Sequence, residues 1–313
     1  MNDHPQFPLY IPSKGRAEYM ITSRALDAMG VKHRLVIEEQ EYKAYLAAVG
    51  GDKSKLIVLD QSYKSRYELC DGLGLSKSTG PGPARNFIWD HSISEGHKWH
   101  WVMDDNIKAF YRLNHNLKVP TKSPAFWRAM EDFCLRYKNV AMAGPNYFMF
   151  ASRKTKMPPF VTNTRIYSCN LIRNDVPFRW RGRYNEDTIL SLDMLKAGWC
   201  TVQFNAFLQE KLTTQTIGGG NSDEFYFKEG TTAKSAMQVA VHPDVSRIVM
   251  RFGRVHHHVD YSGFKLQKLI RDEAAIIPAG TNNYGMTLKV KGNGNLRLAF
   301  DSNGVCPGDS KSE

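Results

Sequence analysis

Apolar residues in the first 110 positions fall in short runs, separated by segments with helical spacing. Residues 7–11 (FPLYI), 34–38 (RLVIE), 56–59 (LIVL) and 99–103 (WHWVM) are such runs. Short apolar runs alternating with helical segments predict a parallel sheet with crossover helices. Helices are predicted from about Glu18 to Met29, closed by Gly30, around Tyr42 to Val49, and over Ala84 to Glu95 with Pro83 in the first turn. The polar, glycine-rich stretch from Asp71 to Pro83 reads as a loop.

Beyond residue 110 the pattern is less regular. It predicts an amphipathic helix over Phe126 to Tyr137, a short strand over Val140 to Ala143 and a loop over 145–163, which carries Pro158-Pro159. Arg165 to Leu171 and Cys200 to Phe204 alternate like strands, and Glu186 to Lys196 is spaced like a helix that stops at Gly198. IGGGNS (217–222) reads as a flexible loop, 262–277 as a basic helix, and the tail from Asp301 as disordered. With no internal repeat and no linker, the expected organisation is one main domain over 1–260, a C-terminal helical extension over 261–300 and a tail over 301–313.

Composition narrows the class. Among 313 residues, 42% are hydrophobic and 12% aromatic, enough for a substantial core, which excludes a disordered chain. Lys and Arg total 42 against 31 Asp and Glu, a net charge of +11. That surplus suits polyanionic partners (nucleic acid, anionic membrane, phosphate-bearing ligands) or simply a basic soluble surface. Five cysteines, an odd number without a CxxC pair, suit a reducing compartment. The first residues lack the charged-then-apolar order of a signal peptide, and no stretch approaches the roughly 20 apolar residues of a membrane helix. The expectation is a soluble cytoplasmic protein without a membrane association and with no obligate protein partner.

Candidate chemistry begins where the fourth run stops, at Asp104-Asp105-Asn106. Open α/β sheets bind ligands at the carboxyl ends of their strands, and adjacent carboxylates there hold a hard divalent cation that neutralises a departing diphosphate. The same triplet is equally a helix N-cap. Gly80-Pro81-Gly82-Pro83-Ala84-Arg85-Asn86 offers backbone amides and a helix start to an anion, or is a plain turn. Pro12-Ser13-Lys14-Gly15-Arg16 ends the first strand on the same sheet edge. Glu186 and Asp187 open a helix, either complementing its dipole or placing a general base. In His256-His257-His258 at most two rings share one side of a strand, so one metal-ligating imidazole is compatible with the run and three are not. Arg179-Trp180-Arg181-Gly182-Arg183 and Lys265 to Arg271 interleave cations with aromatic or apolar residues, as nucleic-acid surfaces and solvated faces both do.

The order IPSKGR, GPGPARN, MDDN and NEDT followed by LSLDMLKAGW resembles inverting GT-A glycosyltransferases. IPSKGRAEYMITSRALDAMGV, WHWVMDDNI, AMAGPNYFMF, RIYSCNLIRND, RGRYNEDT and RFGRVHHHVDY are similar more narrowly to the TET/JBP-associated glycosyltransferases of bacteriophages, over roughly residues 8–290. The resemblance implies a Rossmann-like GT-A fold, an α/β architecture with a mostly parallel central sheet flanked by helices. It implies a UDP-sugar donor (UDP-glucose or UDP-GlcNAc) and a divalent metal, Mn2+ or Mg2+. Donor contacts fall on Pro12, Ser13, Lys14, Arg16, Glu38, Gly82, Arg85, Asn86, Asp104, Asp105 and Asn106. Metal ligands come from Asp105, Asn106, His256 and His258. Asp187, with Glu186 second, is the base, and Arg181, Arg183, Tyr184, Gly219 and Asn221 face the acceptor. That acceptor is the hydroxymethyl group of an oxidised pyrimidine in phage DNA, 5-hydroxymethylcytosine first. Alternatives are a protein or glycan acceptor, a nucleotidyltransferase, and a non-catalytic nucleic-acid-binding module.

Overall fold

Each of the four early runs forms a strand: β1 (Leu9–Pro12), β2 (Arg34–Ile37), β3 (Leu56–Val58) and β4 (Trp99–Met103). They pair in the order β3-β2-β1-β4, all parallel. The computed structural model describes residues 3–76, 78–212, 232–251, 253–276, 289–291 and 295–297. The loop expected at 217–222, with Gly219 and Asn221, and the tail from Asp301 lie outside them.

The sheet continues past β4 through β9 (Cys169–Arg173), β7 (Val140–Tyr147), β10 (Cys200–Lys211), β5 (Ile107–Asn114) and β6 (Leu117–Pro120), while β8 (Phe160–Thr162) also pairs with β10. β1 to β4, β6, β7 and β10 run one way; β5, β8 and β9 run against them. The mostly parallel sheet expected from the sequence is therefore present. Alternate residues of its strands enter opposite cores. Leu9, Ile11, Leu35, Ile37, Trp101 and Met103 pack with α1 (Ile21–Asp27) and α5 (Ala125–Cys134), and Tyr10, Val36 and Val102 with α4 (Gly82–Ser94) and α6 (Glu186–Lys196). Burial of both faces is why these strands read as continuous apolar runs. The two remaining helices met before α5 are α2 (Tyr42–Ala48) and the short α3 (Ser62–Ser65).

Several expectations are corrected. α1 begins only at Ile21, because Met20 before it adopts a left-handed φ of 44°. The loop expected over 145–163 contains the end of β7 and all of β8, and the strand expected from Arg165 starts at Cys169. The basic helix expected over 262–277 is a single 3-10 turn, Ser262–Phe264, followed by irregular chain. Its backbone finds partners elsewhere: Asn163 Nδ2 donates to the carbonyls of Phe264 and Gln267, and the Ile270 amide donates to Asn139 Oδ1. Backbone groups satisfied by the body of the protein have no need of a helix. Unforeseen were the β5–β6 hairpin, α7 (Thr232–Val241) and a two-stranded ribbon of β11 (Ser246–Arg251) and β12 (Arg254–Val259). Among the described residues no helix is long and apolar enough to cross a membrane.

Candidate active site

β1, β4 and β10 point the same way, so their carboxyl ends (Ser13, Asp104 and Lys211) share one sheet edge. β9 runs oppositely and starts there, after Ser168. The first turn of α6, with Glu186 and Asp187, completes the ring. Asp104 is no N-cap: a turn and then β5, not a helix, follow it. Its backbone is fixed on both sides, the amide donating to the Ser168 carbonyl and the carbonyl accepting from Thr22 Oγ1 at 2.7 Å.

Arg85 organises the acids. One amino group donates to Asp104 Oδ1 at 2.7 Å; the other reaches Asp187 Oδ1 at 2.7 Å and Glu186 Oε1 at 3.1 Å. The guanidinium lies 4.6 Å from the Trp180 ring centroid, with only 2% of the side chain exposed. Lys211 Nζ donates to Asp104 Oδ2 at 2.5 Å and to Ser168 Oγ at 3.1 Å. Asp105 accepts from Ser13 Oγ at 2.8 Å on one oxygen and from Arg16 on the other. Ser13 in turn meets the Tyr45 hydroxyl at 2.7 Å. Asp187 also lies 3.5 Å from the Ser168 amide and from Asn170 Nδ2.

Four carboxylates thus face three cations in a nearly dry site. Burial pushes Glu186 up to about 7, against the pull of Arg85, and raises Asp187 as well. Burial would raise Asp104 too, but Lys211 and Arg85 override it and hold that carboxyl far below the ordinary range. The cluster therefore contains one acid held ionised and a pair whose pKa values burial raises, Glu186 to about 7.

The donor residues expected from the sequence divide into two groups. Ser13, Arg16, Arg85, Asp104 and Asp105 converge directly. Glu38, by contrast, pairs with Lys14 at 3.3 Å and Lys64 at 2.7 Å. Both ends of the Asn86 amide are taken by the Trp180 backbone, at 2.9 and 2.8 Å, so Asn86 positions the loop that carries Trp180. Gly82 is required by packing, since a Cβ there would overlap the Tyr67 hydroxyl. Pro12 closes β1 in front of Ser13.

Two expected acceptor residues face inward. Arg183 is 1% exposed and its donors go to Asp71 and to the Gly74 and Ser78 carbonyls, where it braces the 71–80 loop. Tyr184 is buried against Met237. Arg181 is paired with Asp193 at 2.8 and 2.9 Å and lines an 810 Å³ cleft with Tyr63, Arg66, Phe178 and Trp180. That cleft is separate from the carboxylates, which none of its walls includes.

Among the described residues no group of three or more His, Cys, Asp and Glu side chains is disposed to hold an ion. The physical reason is local: every oxygen of Asp104 and Asp105 already accepts from a cation or a hydroxyl, and the buried Asn106 donates to the Leu212 carbonyl at 3.4 Å. Its Oδ1 is buried without a partner, a single neutral acceptor. His256 and His258 sit opposite Val249 and Arg247 on β11. The alternate ring, His257, is the one held well below its ordinary pKa, at about 4, by burial and by Lys234 and Arg165.

Sequence reasoning missed Lys211, Ser168, Tyr147 and Arg165. Tyr147 meets Ser168 Oγ at 2.6 Å, and Arg165 lies within the field of Asp187. A single lysine in QEKL carries no spacing signal; only the register of β10 places it.

A family model described as TET-Associated Glycosyltransferase matches residues 7–220, a span that contains the whole cluster from Ser13 to Lys211. No curated protein matches the chain.

Proposed function

The chain belongs to the TET-associated glycosyltransferase family, and from that premise we propose that it moves a sugar from a UDP-sugar, UDP-glucose or UDP-GlcNAc, onto the hydroxymethyl group of a modified pyrimidine in DNA, 5-hydroxymethylcytosine first. The observation that carries this reading is the Arg85-centred cluster, which joins Asp104 at the end of β4 to Glu186 and Asp187 at the start of α6.

Asp104 and Asp105 stand where a nucleotide sugar meets the strand ends, and Ser13 and Arg16 border the base pocket. Asp187, backed by Glu186, takes the proton of the acceptor hydroxyl as its oxygen attacks the anomeric carbon. The diphosphate leaves from the opposite face, which inverts the configuration. A base within hydrogen-bond reach contributes roughly 10²- to 10⁴-fold.

Two features favour a DNA acceptor over a protein or glycan. The net charge is +11. The β11–β12 ribbon presents Arg247, Arg251 and Arg254 to solvent beside exposed Ile248 and Met250. Ribbons with cationic flanks and apolar wedges suit duplex grooves and unstacked bases. The ribbon lies within electrostatic reach of the acids, since the charge of Arg165 acts on both His257 and Asp187. A target base drawn out of its stack, at a cost of a few kcal/mol, is then met close to Asp187.

The test is to incubate the protein with labelled UDP-sugars and duplex DNA containing hydroxymethylated cytosine or uracil. Label incorporated into the modified strand, and none into unmodified DNA, is expected. No transfer with any sugar and either base would sink the assignment.

A further inference from the structure

We propose that Lys211, whose ammonium lies 2.5 Å from Asp104 and 3.1 Å from Ser168, supplies the charge that neutralises the departing diphosphate, so that transfer proceeds without a divalent ion. This rests on the nucleotide-sugar reading above and concerns the same sheet edge.

A divalent ion at paired carboxylates must compete with the groups that already hold their oxygens. Arg85 and Lys211 occupy the two oxygens of Asp104, and Arg16 and Ser13 those of Asp105. An entering ion would have to displace ion pairs in a site where burial makes an unpaired charge costly. The cations themselves already occupy the position and the role of a Lewis acid.

Of the three, Lys211 is the one placed to meet a ligand. Arg85 is walled in by three carboxylates and Trp180, with 2% of its side chain exposed, and Arg16 is 9% exposed; Lys211 is 20% exposed. It is the last residue of β10, where the chain leaves the sheet. An ammonium has three N–H donors, and among the described residues Asp104 and Ser168 take two. The third is available to a phosphate oxygen. Burial alone would lower its pKa, but Asp104 and Tyr147 more than offset this, so it remains a fixed cation at every pH of interest.

In the step, the acceptor O–H proton passes to the Asp187 carboxylate and the oxygen lone pair forms the new bond to the anomeric carbon. The bond from that carbon to the β-phosphate oxygen breaks, and its electron pair stays on the diphosphate. Lys211 keeps its proton and pairs with that oxygen. Nothing is oxidised or reduced.

Two readouts test this on the full chain: UDP affinity by calorimetry and transfer rate, each with excess EDTA and with Mn2+. Wild-type UDP affinity and rate are expected to agree within about twofold between the arms. Lys211→Met should weaken UDP binding at least tenfold in both arms and lower kcat by about 10²- to 10³-fold, the scale of losing one preorganised donor. Lys211→Arg, which keeps the charge, should restore most of both and controls for misfolding. UDP binding or transfer that disappears in EDTA and returns with Mn2+ overturns the proposal, as does Lys211→Met binding UDP like the wild type. Absence of UDP binding by the wild type in both arms instead overturns the donor assignment itself, and this inference with it.

Discussion

Arg85 makes the chemistry of Glu186 and Asp187 depend on one buried guanidinium. Burial raises the pKa of both acids, Glu186 up to about 7, so the fully ionised pair is lost as pH falls through about 7 and regained above it. With both substrates saturating, the transfer rate should rise as pH rises through about 7 and level off beyond it. Asp187→Asn should lower kcat by roughly 10²- to 10⁴-fold while changing UDP affinity only a few-fold. A wild-type rate that falls over the same pH range, or an Asp187→Asn protein with normal kcat, contradicts the assignment. At this scale the sequence was informative wherever chemistry came in pairs. Asp104 with Asp105 and Glu186 with Asp187 stand side by side in the chain, and Arg85 lies in the first turn of α4, just after Gly80-Pro81. Arg183, in contrast, looks like a nucleic-acid contact by composition and is a buried strut, because nothing local encodes the Asp71 carboxylate that captures it.

Among elements, β1, β2 and β4 were legible because both of their faces are buried and their runs are mostly apolar, and the half-buried β3 is a short run of three aliphatic residues. β10 was read to less than half its length, since its second part (NAFLQEK) mixes polar residues that serve the site with apolar ones that pack. The β11–β12 ribbon escaped notice because β11 exposes arginines (Arg247, Arg251) on one face and apolar residues (Ile248, Met250) on the other, the reverse of a polar-out, apolar-in alternation. It is also the element whose charges are most open to test. Replacing Arg247, Arg251 and Arg254 together by Ala should weaken duplex binding and reduce the slope of log affinity against log salt by about 3, near 0.9 for each phosphate left without its arginine. UDP affinity should be unaffected. An unchanged salt slope would mean that this ribbon meets no DNA.

Across the molecule, Glu131 ties three parts together. From α5 it accepts from the Gln6 and Phe7 amides at 2.6 and 3.2 Å and from Trp101 Nε1 on β4 at 2.8 Å. Burial pushes it up to about 7 despite those donors. Because the folded-state value lies above the ordinary one, its contribution to stability is fully present at pH below about 4.5 and is lost as pH rises through about 7. The shift corresponds to roughly 3 kcal/mol at about 1.4 kcal/mol per pH unit. Denaturant unfolding at pH 5 and pH 8 should show a smaller decline for Glu131→Gln than for the wild type. Equal declines in the two proteins would exclude this role.

β10 is drawn from late in the described chain yet lies inside the sheet, hydrogen-bonded to β7 on one side and β5 on the other. Until it arrives, a growing polypeptide holds two sets of strands with open edges facing a gap one strand wide. Such edges are templates for pairing with other chains, and closing them requires pairing between segments far apart in sequence. The strand that delivers Lys211 to Asp104 is therefore also the keystone of assembly, and a nascent chain is most exposed to aggregation just before the edge that gathers Asp104 and Lys211 comes into existence.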